Sequence, residues 1–253
     1  MKLYDHPLSP YAMKIRTILY EKGIEFEKSE VHTRAQGEAL RELNPRAEVP
    51  ALVDGDTVLF DSKVIAEYLE ETHPEPALLP KDPAARARCR VLELRIDTEV
   101  DGAALAWSLF KFFRPGLGEE QPEALARAES SLRRHFAALD RELEGRAYLA
   151  GEFSRADLAL APHLGACAFM GLSPGDDTPH LAAWLQRVNE RESVQRATQE
   201  AMAAIGRDED EPFFDTDRLH WRSDRIEQIL RIGLGPWLLE ELAADRAFLP
   251  PGP

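Results

Sequence analysis

The chain has 253 residues, with 31 Lys and Arg against 45 Asp and Glu, and carries a net charge of −14. That balance argues against sequence-independent nucleic-acid binding, which needs clustered Lys and Arg to displace counterions from phosphates. No run of about 18 apolar residues occurs, so no membrane span is expected.

The length allows two compact domains with a sizeable core. Met1-Lys2-Leu3-Tyr4-Asp5-His6-Pro7 has an early acid and no long apolar run, so it does not read as a secretory signal. Cys89 and Cys167 are far apart and outside any metal-ligand spacing. Together these features predict a reducing, cytoplasmic setting without structural disulfides or metal.

In chain order, the first part predicts β-α-β-α-β-β-α. Lys2 to His6 is a short strand. Ser9 is placed as an N-cap, with Pro10 at the first helical position, where its missing N–H costs nothing. Met13, Ile15, Ile18 and Leu19 supply an apolar stripe, and Gly23 stops the helix. Ile24 to Val31 alternates as a strand, and a short helix from Glu38 to Leu43 ends at Asn44-Pro45. Ala51-Leu52-Val53 and Val58-Leu59-Phe60 flank Asp54-Gly55-Asp56 as a hairpin. Asp61 and Ser62 open the next helix, with Val64, Ile65, Tyr68 and Leu69 on its apolar face.

Pro74, Pro76, Pro80 and Pro83 mark a linker. Beyond it the patterns are helical: about Ala84 to Phe113, Glu123 to Glu144, Arg155 to Phe169, Thr178 to Arg191 and Ser193 to Ile205. Ser154-Arg155-Ala156-Asp157 reads as a capping box with Asp as the returning acid. Gly206 to Glu211 is an acidic loop. Asp217 to Ile232 and Pro236 to Ala244 are two further helices. Ile226, Ile229, Leu230, Leu234, Trp237, Leu238 and Leu242 are too many large apolar residues for a disordered tail.

Three places carry candidate chemistry. At Ser9-Pro10-Tyr11-Ala12 a Cys-x-x-Cys would be a dithiol centre, but Ser9 and Ala12 take both sulfur positions. The frame that presents a thiol lacks one, so a ligand supplies the sulfur. The Ser9 hydroxyl then donates to a ligand thiolate, and the helix N-terminus adds to that stabilisation. Ser9 as a plain cap is the alternative. Val49-Pro50 is either an ordinary strand entry or a cis proline that presents the Val49 backbone to an extended peptide. Asp61-Ser62 is either a bland cap or a site for the α-amino acid end of a ligand, Ser62 and the helix N-terminus holding carboxylate and Asp61 the ammonium. His32, His135 and His163 show no metal spacing.

HPLSPYAMKIR, NPRAEVPALVDGD, LFDSKVIAEYLEE and FSRADLALAPHL, in that order and spacing, make residues Met1 to about Ile205 resemble the cytosolic glutathione transferase family. The likeness is to its serine-type classes (tau, zeta or theta), since the cysteine-type omega class would have Cys at Ser9. The resemblance implies an α/β thioredoxin-like N-terminal domain, residues 1–76, and an all-α domain, residues 84–205. Residues 206–253 form a helical extension packed on the body. The resemblance also implies a homodimer in which glutathione lies along Val49-Pro50 and Asp61-Ser62 with its sulfur near Ser9. A small apolar electrophile would lie against Leu8 and Tyr11 on one side and Trp107, Phe110 and Phe113 on the other, with core packing the alternative for each of these aromatics. One departure is Ala47-Glu48, where the family often has Gly-Lys. Arg34 and Arg46 are the candidates to replace the lysine charge beside the glycyl carboxylate. A non-catalytic binding or regulatory protein on the same fold is the alternative. A dithiol reductase is disfavoured, because no Cys-x-x-Cys exists.

Overall fold

A computed structural model describes residues 1–31, 36, 39–113, 115–205, 219–220, 223–244 and 247–248. His32, Arg34, Glu38, the 206–211 loop and Asp217 lie outside the described residues. The chain divides into two compact units, one of residues 1–93, 146–162 and 184–213, the other of residues 94–145, 163–183 and 214–253.

In the first unit, β1 (Lys2–Asp5), α1 (Pro10–Glu21), β2 (Glu27–Glu30), β3 (Ala51–Asp54), β4 (Thr57–Phe60) and α2 (Ser62–Thr72) follow one another. The sheet order is β2-β1-β3-β4, with β1 parallel to β2 and antiparallel to β3, and β3 antiparallel to β4. This is a thioredoxin-like sheet and helix arrangement. The predicted strand from Ile24 shortens to Glu27–Glu30, because the ladder with β1 begins at Lys2↔Glu27. That strand is charged and lies at the sheet edge, where charge blunts pairing with other chains. The predicted Glu38–Leu43 helix is a 3-10 turn at Leu40–Glu42. On α2, Ser62, Ile65, Ala66 and Leu69 are buried, while Val64, expected inside, is half exposed.

α1 buries more than its apolar stripe. Lys14 and Arg16 are 1% and 0% exposed. Each meets acids brought from elsewhere in the chain. Lys14 Nζ lies 3.4 Å from Glu93 Oε1, and Arg155 Nη2 donates to Glu93 Oε2 at 2.7 Å. Arg155 Nη1 donates to Glu67 at 2.7 Å, and Arg90 closes on Glu67 as well. The Pro-rich linker is pinned too. The Glu70 carboxylate accepts from the Leu78 and Leu79 amides at 2.9 and 3.1 Å, while Lys22 donates to the carbonyls of His73 and Pro76.

The helices α3 (Pro83–Arg95), α4 (Asp101–Ser108), α6 (Pro122–Leu143), α7 (Arg155–Phe169), α8 (Pro179–Asn189) and α9 (Glu192–Ala204) fall where the patterns placed them, and α5 (Pro115–Glu120) is an additional short helix between two of the expected ones. Two π-helical segments, Ile96–Val100 and Leu109–Phe113, interrupt the first long helical stretch. At Ser154 the returning half of the capping box forms, while the Asp157 amide donates to the Ser154 carbonyl at 3.0 Å rather than to its hydroxyl. Asp157 accepts from the Ser154 amide and hydroxyl at 2.9 and 3.0 Å, and also from the Leu149 amide and the Trp184 indole.

Within the second unit, α10 (Ser223–Arg231) and α11 (Gly235–Ala243) are ordered elements of the extension. A short parallel pair, β5 (Leu219–His220) with β6 (Ala247–Phe248), was not foreseen. Arg225 grips Asp101 with Nε and Nη2 at 2.9 and 3.3 Å, and Gln228 donates to Ser131 at 2.7 Å. Ile229, Ile232, Leu234, Trp237 and Leu238 are buried.

Candidate functional site

The sheet register gathers the three candidate segments. Tyr4 pairs with Ala51, and Ala51 with Phe60, so these residues form one row across β1, β3 and β4. Ser9 follows β1 by a short turn, Val49-Pro50 immediately precedes β3, and Asp61-Ser62 immediately follows β4. All three therefore leave the sheet at the same end. Neighbouring strands lie about 4.8 Å apart, so the row spans roughly a peptide's width.

The turn that carries Ser9 is His6-Pro7-Leu8-Ser9, closed by the Ser9 amide donating to the His6 carbonyl at 2.9 Å. Proline stands second in it, where its fixed φ suits a β-turn. Ser9 is the N-cap of α1, 6% exposed, and its hydroxyl accepts from the Ala12 amide at 3.3 Å. A hydroxyl that accepts one hydrogen bond still has its own proton to donate. The cap and the thiolate donor are thus compatible roles for one atom.

Val49-Pro50 is a cis peptide, the second of the two alternatives. The Val49 side chain packs with Ala12, Val31, Leu40 and Ala51, while its backbone lies beyond the last ladder pair at Ala51. Asn44, a residue the sequence reading passed over, builds the loop before it. Its side chain is buried, donates to the Glu48 carbonyl at 2.7 Å and accepts from the Arg46 amide at 3.0 Å. The only sequence signal for it was Asn before Pro45, which the reading used as a helix stop. Ala47 in this loop has φ 53, and Asp61 has φ 72. Non-glycine residues in that region are strained, and such strain concentrates at ligand-holding positions.

Asp61 caps α2 by accepting from the Lys63 amide at 3.0 Å, and Ser62 is buried at the first turn. Arg46 Nη1 lies 3.7 Å from Asp61 Oδ2. That contact ties the Val49-Pro50 loop to the α2 N-terminus and puts the one described arginine candidate on the acid that would take a ligand ammonium.

Leu8 is 40% exposed and Tyr11 half-buried at this end of the first unit. In the second unit, Trp107 and Phe110, expected on a pocket wall, are 2% and 1% exposed, and Phe110 packs its ring on Trp237 at 6.2 Å. Their helical spacing serves the core. Phe112 and Phe169, both half exposed, stand edge to face at 6.2 Å, and Phe113 contacts Phe112 in the same manner. Cys89 and Cys167 are free and buried; burial pushes the Cys167 thiol up to about 12. Among the described residues no group of three or more His, Cys, Asp or Glu is placed to hold a metal ion, and no helix is long and apolar enough to cross a membrane.

A thioredoxin-like sheet with its thiol position capped by serine, followed by helices, defines a glutathione transferase-type protein. The chain belongs to the glutathione S-transferase family: the family's N-terminal domain model matches residues 3–77 and its C-terminal domain model residues 103–192. It is 33% identical to a stringent starvation protein A homolog of Coxiella burnetii, over 81% of this chain and 94% of that protein. It is 32% identical to glutathione S-transferase U28 of Arabidopsis thaliana, over 75% and 84%. The solved structure of FzlA from C. crescentus matches with a TM-score of 0.70 and 28% identity, over 78% of this chain and 91% of that one.

Proposed function

We propose that the protein is a glutathione transferase that activates the glutathione thiol for conjugation to, or substitution or isomerisation of, a small apolar electrophile. The observation that carries this reading is the convergence of Ser9, Val49-Pro50 and Asp61-Ser62 at one end of the sheet. Ser9 donates to the thiolate. A free thiol titrates near ~8.5, so a donor worth ~2 pKa units turns most of it into nucleophile at neutral pH. The Val49 backbone pairs with the glutathione backbone, and Asp61 and Ser62 hold its γ-glutamyl end. Arg46, which lies against Asp61, adds its charge at the γ-glutamyl end of the ligand.

In this reading residues 1–76 bind glutathione, residues 84–205 form the electrophile domain, and Leu8 and Tyr11 face the electrophile. Phe112 and Phe169, half exposed, are open to an apolar ring as the buried Trp107 and Phe110 are not. The protein acts as a cytoplasmic homodimer without metal. Titration calorimetry with glutathione on the full chain tests the reading. Micromolar to low-millimolar binding is expected, and its absence overturns the proposal.

A second reading is a non-catalytic regulator on the same fold. The likeness to stringent starvation protein A homologs, whose name denotes no transferase, supports it, as does Glu48 beside the glutathione segment. It predicts no turnover of any electrophile together with retention of a macromolecular partner.

A further inference from the structure

Arg16 is a fully buried guanidinium whose arms reach four separate groups of the first unit. Nη1 donates to Asp5 Oδ2 at 2.5 Å, at the end of β1. Nη2 donates to the carbonyl of Pro7 at 3.1 Å, within the turn that carries Ser9, and to the carbonyl of Ala197 at 3.4 Å on α9. Nε lies 2.9 Å from Glu200 Oε2, also on α9. Glu200 in turn accepts from the Tyr20 hydroxyl at 2.7 Å and lies 3.4 Å from Lys28.

Stability alone is a poor account of this arrangement. Buried ion pairs repay their desolvation only when every atom is satisfied, and hydrophobic replacements of equal volume are often as stable. Here Asp5 Oδ1 is buried and accepts no hydrogen bond. What the guanidinium does supply is direction. Its fork is planar and rigid, so fixing Asp5 and α9 fixes where the Pro7 carbonyl must lie. Pro7 is two residues before Ser9, in a turn closed by the Ser9 amide.

We infer that Arg16 is the positioning residue of the thiol site: it holds the His6–Ser9 turn against β1 and α9 so that the Ser9 hydroxyl points at the ligand sulfur. The inference rests on the glutathione reading above for the identity of that sulfur, but the clamp on the turn does not. Arg16→Lys retains the charge beside Asp5 and loses the fork, so it isolates geometry from charge. Arg191→Lys, which loosens the exposed-side pair with Glu21 in the same unit, serves as the control for general destabilisation.

The test is ultraviolet titration of the bound glutathione thiolate, with steady-state kinetics, on the wild type and both variants. In Arg16→Lys the bound thiol pKa is expected to rise by about one unit and kcat to fall about tenfold or more, with KM for glutathione changed less than threefold. Arg191→Lys should leave all three unchanged at an equal or larger loss of Tm. An Arg16→Lys enzyme with wild-type thiol pKa and kcat overturns the inference. If the wild type ionises no glutathione, the glutathione reading fails by itself. Amide hydrogen exchange at Ser9 and Met13 then decides the clamp, with at least tenfold faster exchange expected in Arg16→Lys alone and unchanged exchange refuting it. Should Arg16→Lys not fold, Glu200→Ala removes the carboxylate that lies 2.9 Å from Nε on the partly exposed side; the same changes in smaller measure support the inference, and unchanged values refute it.

Discussion

The Ser9 hydroxyl accepts a hydrogen bond from the Ala12 amide at 3.3 Å, joining through a helix cap the two positions that hold sulfur in a Cys-x-x-Cys frame. The cap and the proposed chemistry make different demands, so one substitution separates them. Ser9→Ala should cost about 1 kcal/mol of stability as a lost N-cap. If the hydroxyl also stabilises a thiolate, turnover should fall by roughly 100-fold on an electrophile that the wild type turns over, as for loss of one preorganised donor. Denaturant unfolding reads the first effect and steady-state kinetics the second. The stability loss with unchanged turnover would leave Ser9 as a cap only.

Ala47 has φ 53, a backbone region that costs an L-residue with a Cβ about 1 kcal/mol or more. The family's frequent glycine in this place is therefore explained by the turn that Asn44 builds, in which the Ala47 amide donates to the Asn44 carbonyl at 2.8 Å. Ala47→Gly should stabilise the chain by roughly 0.5 kcal/mol, the relief of strain outweighing the added freedom of the unfolded glycine. A urea midpoint that does not rise would mean that the loop tolerates this backbone without strain.

Much of this architecture was legible in the sequence because it rests on local signals. Pro10 after Ser9, the Asp54-Gly55 turn and the Ser154/Asp157 box fixed element starts and turns within a residue or two. What stayed hidden depends on partners distant along the chain. Lys14 stands between apolar residues with no local acid to mark it, and only the fold brings Glu93, 79 residues away, to neutralise it. Trp107 and Phe110 looked like pocket aromatics until Trp237 from the extension covered Phe110. The π-helical segments at Ile96–Val100 and Leu109–Phe113 left no trace in a periodicity read at 3.6 residues per turn. For the site, topology explains why Ser9, Val49 and Asp61 meet, while the loop geometry set by Asn44 has no periodic signature.

The Lys14–Glu93–Arg155 cluster gives stability an acid-side slope. Burial alone would push the Glu93 carboxyl up, but the charges of Lys14 and Arg155 outweigh it and hold it below its ordinary value of 4.5. Glu67, between Arg90 and Arg155, is also held low. A carboxylate with a depressed folded pKa adds stability above its unfolded pKa and loses it as pH falls through the folded value. Asp157 has the opposite sign: burial pushes its carboxyl above 3.8, so its ionisation weakens the fold as pH rises. Glu93→Gln removes the carboxylate that Lys14 and Arg155 share, Arg155 keeping Glu67, and should cost about 3 kcal/mol at pH 7. The gap between variant and wild type should narrow as pH drops below 4.5. Urea unfolding at pH 7, 5 and 3.5 measures it; a gap constant with pH would uncouple Glu93 ionisation from folding.

Trp237 decides what the extension does for the helical unit. It is 8% exposed, and its ring packs on Phe110 at 6.2 Å. Nearby, Arg127 Nε donates to the Ile232 carbonyl at 2.6 Å, and Arg225 covers the buried Asp101 carboxylate. These contacts make α10 and α11 part of the second unit's core. Trp237→Ala should therefore cost about 3–5 kcal/mol, the loss expected for a large buried aromatic. Removing everything after Ile205 should cost more, because it also strips Arg225 from Asp101 and bares Phe110. Thermal unfolding of both variants, with a dye that reports exposed apolar surface, gives the measurement. A truncated chain that kept the wild-type Tm and bound no dye would show that the extension is dispensable to the fold, and its apolar face would then have to serve some other contact.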